Sequence, residues 1–164
     1  MNHPDDVTRL RDSWLFWSAT AGLSSPRVSA PNQENELHFL SDEYSVHLRH
    51  AGEWWVMDTV DERGQLREDV AKFSSYELAE KFLVWQWSSA ARNALHLVGI
   101  GPELYARGID PDVEAAEMSA GIYELRLASD RAVLMEPSAT IFSHLMSKSV
   151  DEIDAMARVG ITAP

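Results

Sequence analysis

Apolar residues near the start of the chain recur at helical spacing: Val7, Leu10, Trp14, Trp17 and Ala21 are separated by 3, 4, 3 and 4 positions. This predicts an amphipathic helix over residues 5–21, with Asp5 or Asp6 as its N-cap and Gly22 as its stop. Residues 23–35, with Pro26 and Pro31 among Ser, Asn and Gln, carry the punctuation of a flexible loop. The pattern then changes to strand-like runs. Segments 37–40, 44–50 and 53–60 are rich in aromatic and β-branched residues and predict three strands. A two-residue loop at Ala51-Gly52 pairs Glu53 with His50 and sets the register. Tyr44, Val46 and Leu48 then share a face with Thr59, Met57 and Trp55, the expected core side. The other face carries Ser45, His47 and Arg49 beside Asp58, Val56 and Trp54, a mixed set suited to half exposure or to cover by a partner. Asp61-Glu62-Arg63-Gly64 reads as a turn, with a short strand at 70–73 after it.

Ser74 and Glu77 have capping-box spacing, which predicts a helix from there to about Leu97. Leu78, Phe82, Trp85 and Ser89 form one stripe, and Tyr76, Ala79, Leu83, Ala90, Ala94 and Leu97 an adjacent one. So wide an apolar surface predicts a central helix packed across the sheet. Gly99, Gly101 and Pro102 interrupt it. Further on, 122–127 and 132–136 predict a hairpin around Ser129-Asp130 with Leu125 opposite Leu134. Residues 140–146 fit strand or helix equally. Ser149 and Glu152 make a second capping box before Ile153, Met156 and Ala157, and Gly160 supplies a stop. The expected fold is a single α+β domain over 1–164: a mostly antiparallel sheet of about five to six strands against a long central helix, with N- and C-terminal helices. Tyr44-Ser-Val-His-Leu and Tyr123-Glu-Leu-Arg-Leu lie 79 residues apart and raise a weak case for internal duplication of a ββα unit.

A chain of 164 residues can bury roughly 70% of its unfolded surface. With 45% hydrophobic and 24% charged residues, the composition is that of a globular domain. The chain has no cysteine, which excludes disulfides, thiolate zinc sites and cysteine nucleophiles and fits a cytoplasmic setting. Met-Asn-His-Pro-Asp-Asp at the start lacks the basic and apolar regions of a secretory signal, and no apolar run approaches the ~18 residues of a membrane span. Fourteen basic against 26 acidic residues give a formal charge of −12, which disfavours nucleic acid and anionic membranes and favours a basic protein partner. Solubility alone also accounts for such a charge.

No phosphate loop, nucleophile elbow or zinc-protease helix is present. His47 and His50 point to opposite faces of a strand, His38 and His96 lack ligand spacing, and Ser143-His144 are neighbours only in sequence. No catalytic, metal-binding or cofactor-binding residue is assigned. Trp14, Trp17, Trp55 and Trp85 fall on expected core faces, leaving Trp54 and Trp87. Trp54, opposite Arg49 in the expected register, fits either a cation–π pair or an interface anchor. The candidate partner-binding residues are therefore Arg49, Trp54, Val56 and Asp58 on the outer hairpin face, with Asp61, Glu62, Glu68 and Asp69 along the acidic turn. Two rival readings are an export chaperone or adaptor, and a small-molecule-binding or enzymatic domain. The latter would place a pocket between the sheet and the 74–97 helix, drawing on Tyr76, His96 and Ser143-His144.

The run Ser74-Ser-Tyr-Glu-Leu-Ala-Glu-Lys-Phe-Leu, followed by Trp85 and Arg92, resembles the helix of the Imm61 immunity proteins. Ile141-Phe-Ser-His-Leu, then Ser149-Val-Asp-Glu-Ile, resembles that family's C-terminal pattern. The common order extends over about residues 5–159, without the Trp54-Trp55 segment or the 23–35 loop. This resemblance implies a non-enzymatic bacterial antitoxin that binds a secreted polymorphic toxin 1:1 and obstructs its active site. The family includes the antitoxin of an NAD-degrading necrotizing toxin.

Overall fold

The computed structural model describes residues 4–31 and 35–161. The first apolar stripe forms α1 (Pro4–Thr20), with Leu10, Trp14 and Trp17 wholly buried. Asp5 and Asp6 lie inside its first turn, where they favour the helix dipole instead of capping it. Gly22, at φ +81°, ends the helix as the sequence predicts, and Leu23 N–H returns to the Ser18 carbonyl at 2.9 Å. The segment expected to be a loop contains a strand, β1 (Arg27–Ser29), paired antiparallel with β2 (Glu36–Leu40). Residues 32–34 of that expected loop lie outside the described residues. Trp14 Nε1 donates to the Arg27 carbonyl at 3.2 Å, so tertiary pairing overrides a local composition of Pro and Ser.

The chain continues through β3 (Ser45–Ala51), β4 (Trp54–Val60) and β5 (Leu66–Phe73) into α2 (Tyr76–Ala94) and α3 (Gly101–Ala106). A second meander follows, β6 (Glu114–Ser119), β7 (Ile122–Leu127) and β8 (Asp130–Met135), and then α4 (Ser138–Ser143) and α5 (Val150–Ala157). All strand pairs are antiparallel, in the order β1-β2-β3-β4-β5-β8-β7-β6. The α+β class stands, but the described residues form eight strands, not five to six, and five helices. Of these, α1 with 17 residues nearly equals α2 with 19, so the helical layer is shared instead of resting on one central helix. Residues 138–143 resolve to helix. The two meanders meet at β5 and β8, which makes β4 the counterpart of β7; the likeness between the Tyr44 and Tyr123 runs links β3 to β7 and does not follow that correspondence.

Both hairpins keep the expected faces but sit two residues from the expected register. Gly52 has φ +62° and takes the first central position of a Gly52-Glu53 turn, where a type II′ turn needs it. Ala51 therefore pairs with Trp54, Arg49 with Val56 and His47 with Asp58. In the second hairpin Ala128 (φ +53°) and Ser129 turn the chain, so Leu125 faces Ala132 and Leu134 faces Tyr123. An even shift leaves the alternation intact, and Val46, Leu48, Met57, Leu125, Ala132 and Leu134 all reach the core.

Ser75, not Ser74, caps α2, accepting Leu78 N–H at 3.2 Å. Ser74 instead extends the sheet: its N–H donates to the Arg131 carbonyl and its Oγ accepts Arg131 N–H, both at 2.8 Å. Ser149 caps α5 as expected, accepting Glu152 N–H at 3.0 Å. Helix α2 is buried nearly all round, which takes Trp87 into the core (4% exposed) against Trp14 and Phe39. Phe73, Phe82 and Phe142 join sheet, α2 and α4 edge to face.

Four charged side chains are built into this layer. Lys81 donates to the Met146 carbonyl at 2.9 Å, and Arg92 holds three carbonyls around the ends of α2 and α5. Arg9 clasps the fully buried Glu80 through Nε at 2.8 Å and Nη2 at 2.6 Å, tying α1 to α2. Burial raises the Glu80 pKa, while Arg9 pulls against it. A carboxyl whose native pKa is raised binds its proton more tightly folded than unfolded, so stability falls as pH rises from the unfolded value toward the folded one. Removing Arg9 raises that pKa further. Arg9→Met is expected to cost about 2 kcal/mol at pH 7, less than for a fully buried pair because Arg9 is 42% exposed. The loss should shrink at pH 5. Urea melts at the two pH values measure it, and an equal loss at both would contradict the role given to Glu80.

Candidate functional site

The core residues of the strands face the helices, so the alternate residues form an uncovered sheet face. Register aligns Glu36, Arg49, Val56, Lys72, Val133 and Glu124 in a row across β2, β3, β4, β5, β8 and β7. Acid, base and apolar side chains alternate along this row. Val56 in this row and Asp58 in the next are both buried, at 4% and 6% exposure, among longer side chains of the same face.

Asp58 organises the middle of the face. One oxygen accepts Arg49 Nε at 2.9 Å, and the other accepts Asp69 N–H at 2.8 Å, filling the point where the β4–β5 register shifts. Asp69 stands at φ +55° there and takes Arg49 Nη2 on its Oδ1 at 2.7 Å. Hydrogen bonding to Asp58 holds the Arg49 guanidinium more firmly charged than usual. Beside Asp58, His47 stacks on His38 at 3.8 Å, and His38 Nε2 lies 2.8 Å from Glu36 Oε1. Burial first, then the neighbouring His38, lowers the His47 pKa.

Trp54 does not meet Arg49. The shifted register places it opposite Ala51, and Arg131 of β8 lies over its ring, 4.6 Å from the centroid. Glu124 ties this end together: it accepts Arg126 Nε at 2.8 Å and lies 3.9 Å from Arg131. Between the paired parts of β4 and β5 the hairpin projects, exposed from residue 62 to 69. Asp61 builds its turn by accepting the N–H groups of Arg63 and Gln65, each at 2.9 Å, while Glu62 and Glu68 point to solvent.

The eight candidate residues thus divide. Arg49, Val56, Asp58 and Asp69 form one connected patch, Trp54 borders it with a different partner, and Asp61, Glu62 and Glu68 line the projecting hairpin. Lys72, Glu124, Arg126 and Arg131 were missed. The alternation of Arg131, Val133 and Met135 around buried Ala132 and Leu134 is the signal that could have found the β8 part.

Other suspected chemistry resolves into structure. Ser143 Oγ accepts Asp110 N–H at 2.9 Å and donates to the Thr140 carbonyl, and His144 Nε2 lies 2.6 Å from the Gly108 carbonyl, so both hold the 108–110 loop. Tyr76 donates to the Asp6 carbonyl at 3.3 Å, and His96 is exposed beyond α2. These residues do not converge on one pocket. His47 and His50 lie on opposite faces, His50 against Trp55. Among the described residues no three His, Asp or Glu gather with metal-binding geometry, and no helix is long and apolar enough to cross a membrane.

An α+β protein with its helices on one side of an antiparallel sheet, and an ordered charged-aromatic face open on the other, has the build of a binding module. Residues 17–157 match the family described as Immunity protein 61, and the chain belongs to that Imm61 family. Membership carries a general immunity function, exercised by binding a cognate toxin. The fold is similar to that of Rv3902c from M. tuberculosis, with a TM-score of 0.67 and 18% identity over 92% of this chain and 87% of that one. No curated protein matches the sequence.

Proposed function

We propose that this chain neutralises a secreted toxin domain in the cytoplasm, as a non-enzymatic 1:1 inhibitor, by laying its open sheet face and β4–β5 hairpin across the toxin's active-site cleft. The observation that carries this reading is the ordered outer face. Trp54 lies under Arg131 while Arg49 is locked by two carboxylates, and Trp and Arg are the side chains that dominate protein interfaces. Groups already held in place lose little freedom on binding.

The resemblance to the antitoxin of an NAD-degrading toxin makes a nucleotide-processing cleft the expected target. Such a cleft must attract pyrophosphate and is therefore basic. Asp61, Glu62, Glu68 and Asp69 along the hairpin offer it negative charge, and the net charge of −12 speeds encounter with a basic domain. Co-expression with the toxin encoded beside this chain is expected to restore growth, give a 1:1 complex by light scattering and stop NAD loss. Persistent toxicity with no complex would refute neutralisation. A complex that leaves NAD turnover intact would refute occlusion of the active site.

A further inference from the structure

The two edges of the sheet are built differently. At one end β1 has three residues and is tied to α1 through the Trp14 bond. At the other, β6 has six residues and pairs, among the described residues, with β7 alone. Every residue of β6 is exposed, so both of its faces are uncovered and its outer backbone edge is open. Exposed edges are ordinarily blunted by Lys, Pro or a bulge. β6 contains neither Lys nor Pro, and its register with β7 shifts only after Glu117, which leaves residues 114–117 regular. Its charge is also one-sided. From Gly108 to Leu125 the chain carries five acids, Asp110, Asp112, Glu114, Glu117 and Glu124, and no Lys, Arg or His. Glu114 stands opposite Arg126, but that guanidinium turns to Glu124, with Nη2 at 2.6 Å. Among the described residues Glu114 therefore forms no ion pair. Glu117 accepts only from neutral donors, the Gly121 N–H and the Tyr123 hydroxyl, each at 3.4 Å.

We propose that β6 is a docking edge that takes an extended, basic polypeptide segment as an added strand. The open backbone supplies hydrogen bonds to any extended chain, and charge selects which chain. In the β7 register Glu114 and Ala116 share the outer face with Arg126 and Glu124, whereas Ala115 and Glu117 share the helical face with Leu125 and Tyr123. The two uncompensated acids thus point to opposite faces. The occupant that answers both carries basic side chains three residues apart, one turned to each face. The small side chains of Ala115 and Ala116 leave its path clear, and a hollow of about 470 Å³ lies against them beside Glu114, Glu124 and Arg126. A second copy of this chain is the wrong occupant, because it would bring its own Glu114 and Glu117 and a further charge of −12. On the neutralisation reading the toxin domain supplies the segment. β6 lies three strands beyond β5, within reach of a domain laid across the outer face.

The test is an NMR titration of the full, ¹⁵N-labelled chain at low salt with the end-capped peptide Thr-Lys-Val-Thr-Lys-Thr. Backbone amides of residues 113–119 should shift and saturate near a roughly millimolar dissociation constant, while those of the β4–β5 hairpin stay still. The same peptide with every backbone nitrogen methylated keeps its charge but cannot donate to the edge, and should bind about tenfold more weakly. The isomer Thr-Lys-Val-Lys-Thr-Thr turns both lysines to one face and should bind about threefold more weakly. Glu114→Lys combined with Glu117→Lys should weaken the lysine peptide about tenfold and admit its counterpart with Glu in place of Lys. Both positions are exposed, so this variant should keep the wild-type fold and melting temperature. Unmoved resonances at 113–119, or shifts centred on the β4–β5 hairpin, would overturn the proposal. Equal binding by the methylated peptide or by the isomer would reduce the edge to a diffuse negative field and overturn it as well. The titration needs no toxin, so its outcome is separate from that of the neutralisation assay.

Discussion

Arg92→Met is expected to lower the stability of the fold by about 3–4 kcal/mol, the largest effect of any single change considered. Arg92 is 8% exposed and donates through Nε to the Val98 carbonyl at 2.8 Å. Its Nη1 donates to the carbonyls of Ala157 at 2.8 Å and Val159 at 2.6 Å. The last carbonyls of a helix have no partner inside it, and a cation there also meets the negative end of the dipole. One guanidinium thus serves the C-terminal regions of α2 and α5 together. Met keeps the apolar stem and removes the charge and every donor. Lys should recover only part of the loss, since one ammonium cannot face carbonyls in both directions with a planar fork. Urea denaturation of the three proteins measures this, and a loss below about 1 kcal/mol for Met would show that water replaces the guanidinium. Domain stabilities of about 5–15 kcal/mol leave room for a folded but weakened variant. Arg92 belongs to the run that resembles the Imm61 helix, and its contacts assign it to folding rather than to toxin recognition.

Alternation identified the buried faces of β3, β4, β7 and β8, because a strand's period is two and a register error of two residues preserves it. The error itself came from a single torsion: Gly52 takes the first turn position, not the second. Edge strands were harder. All six residues of β6 are exposed, so no apolar alternation marks it, and β1 forms only because β2 and Trp14 receive it. Trp87 stands outside the two apolar stripes named for this helix, yet it is buried, because α2 lies between α1, α5 and the sheet. For the candidate site, the linked Arg49, Asp58 and Asp69 were legible from one hairpin and its turn. The partner of Trp54 was not. Arg131 reaches it only because β8 docks on β5, a contact between segments 57 residues apart that no local pattern encodes.

Trp54→Ala is expected to weaken toxin binding about 100-fold, or about 2.7 kcal/mol, while changing stability by less than about 1 kcal/mol. The ring is half-exposed and its contact with Arg131 is at the surface, so truncation leaves no core cavity. Arg131 keeps Glu124 nearby and is not stranded. Asp58→Ala is a poorer test, because it unseats both Arg49 and the Asp69 backbone and blurs binding with folding. Asp58→Asn, which retains an acceptor for Asp69 N–H, separates the two. The hairpin acids should behave differently from Trp54. Glu62→Lys with Glu68→Lys should slow association about tenfold at low salt and leave dissociation nearly unchanged, since exposed rim charges act mainly on encounter. Trp54→Ala should act mainly on dissociation. Surface plasmon resonance at two salt concentrations distinguishes these signatures. If Trp54→Ala bound with wild-type kinetics, the toxin would have to dock elsewhere. If only the hairpin variant failed, the acidic projection would carry recognition and the sheet face behind it would serve as its support.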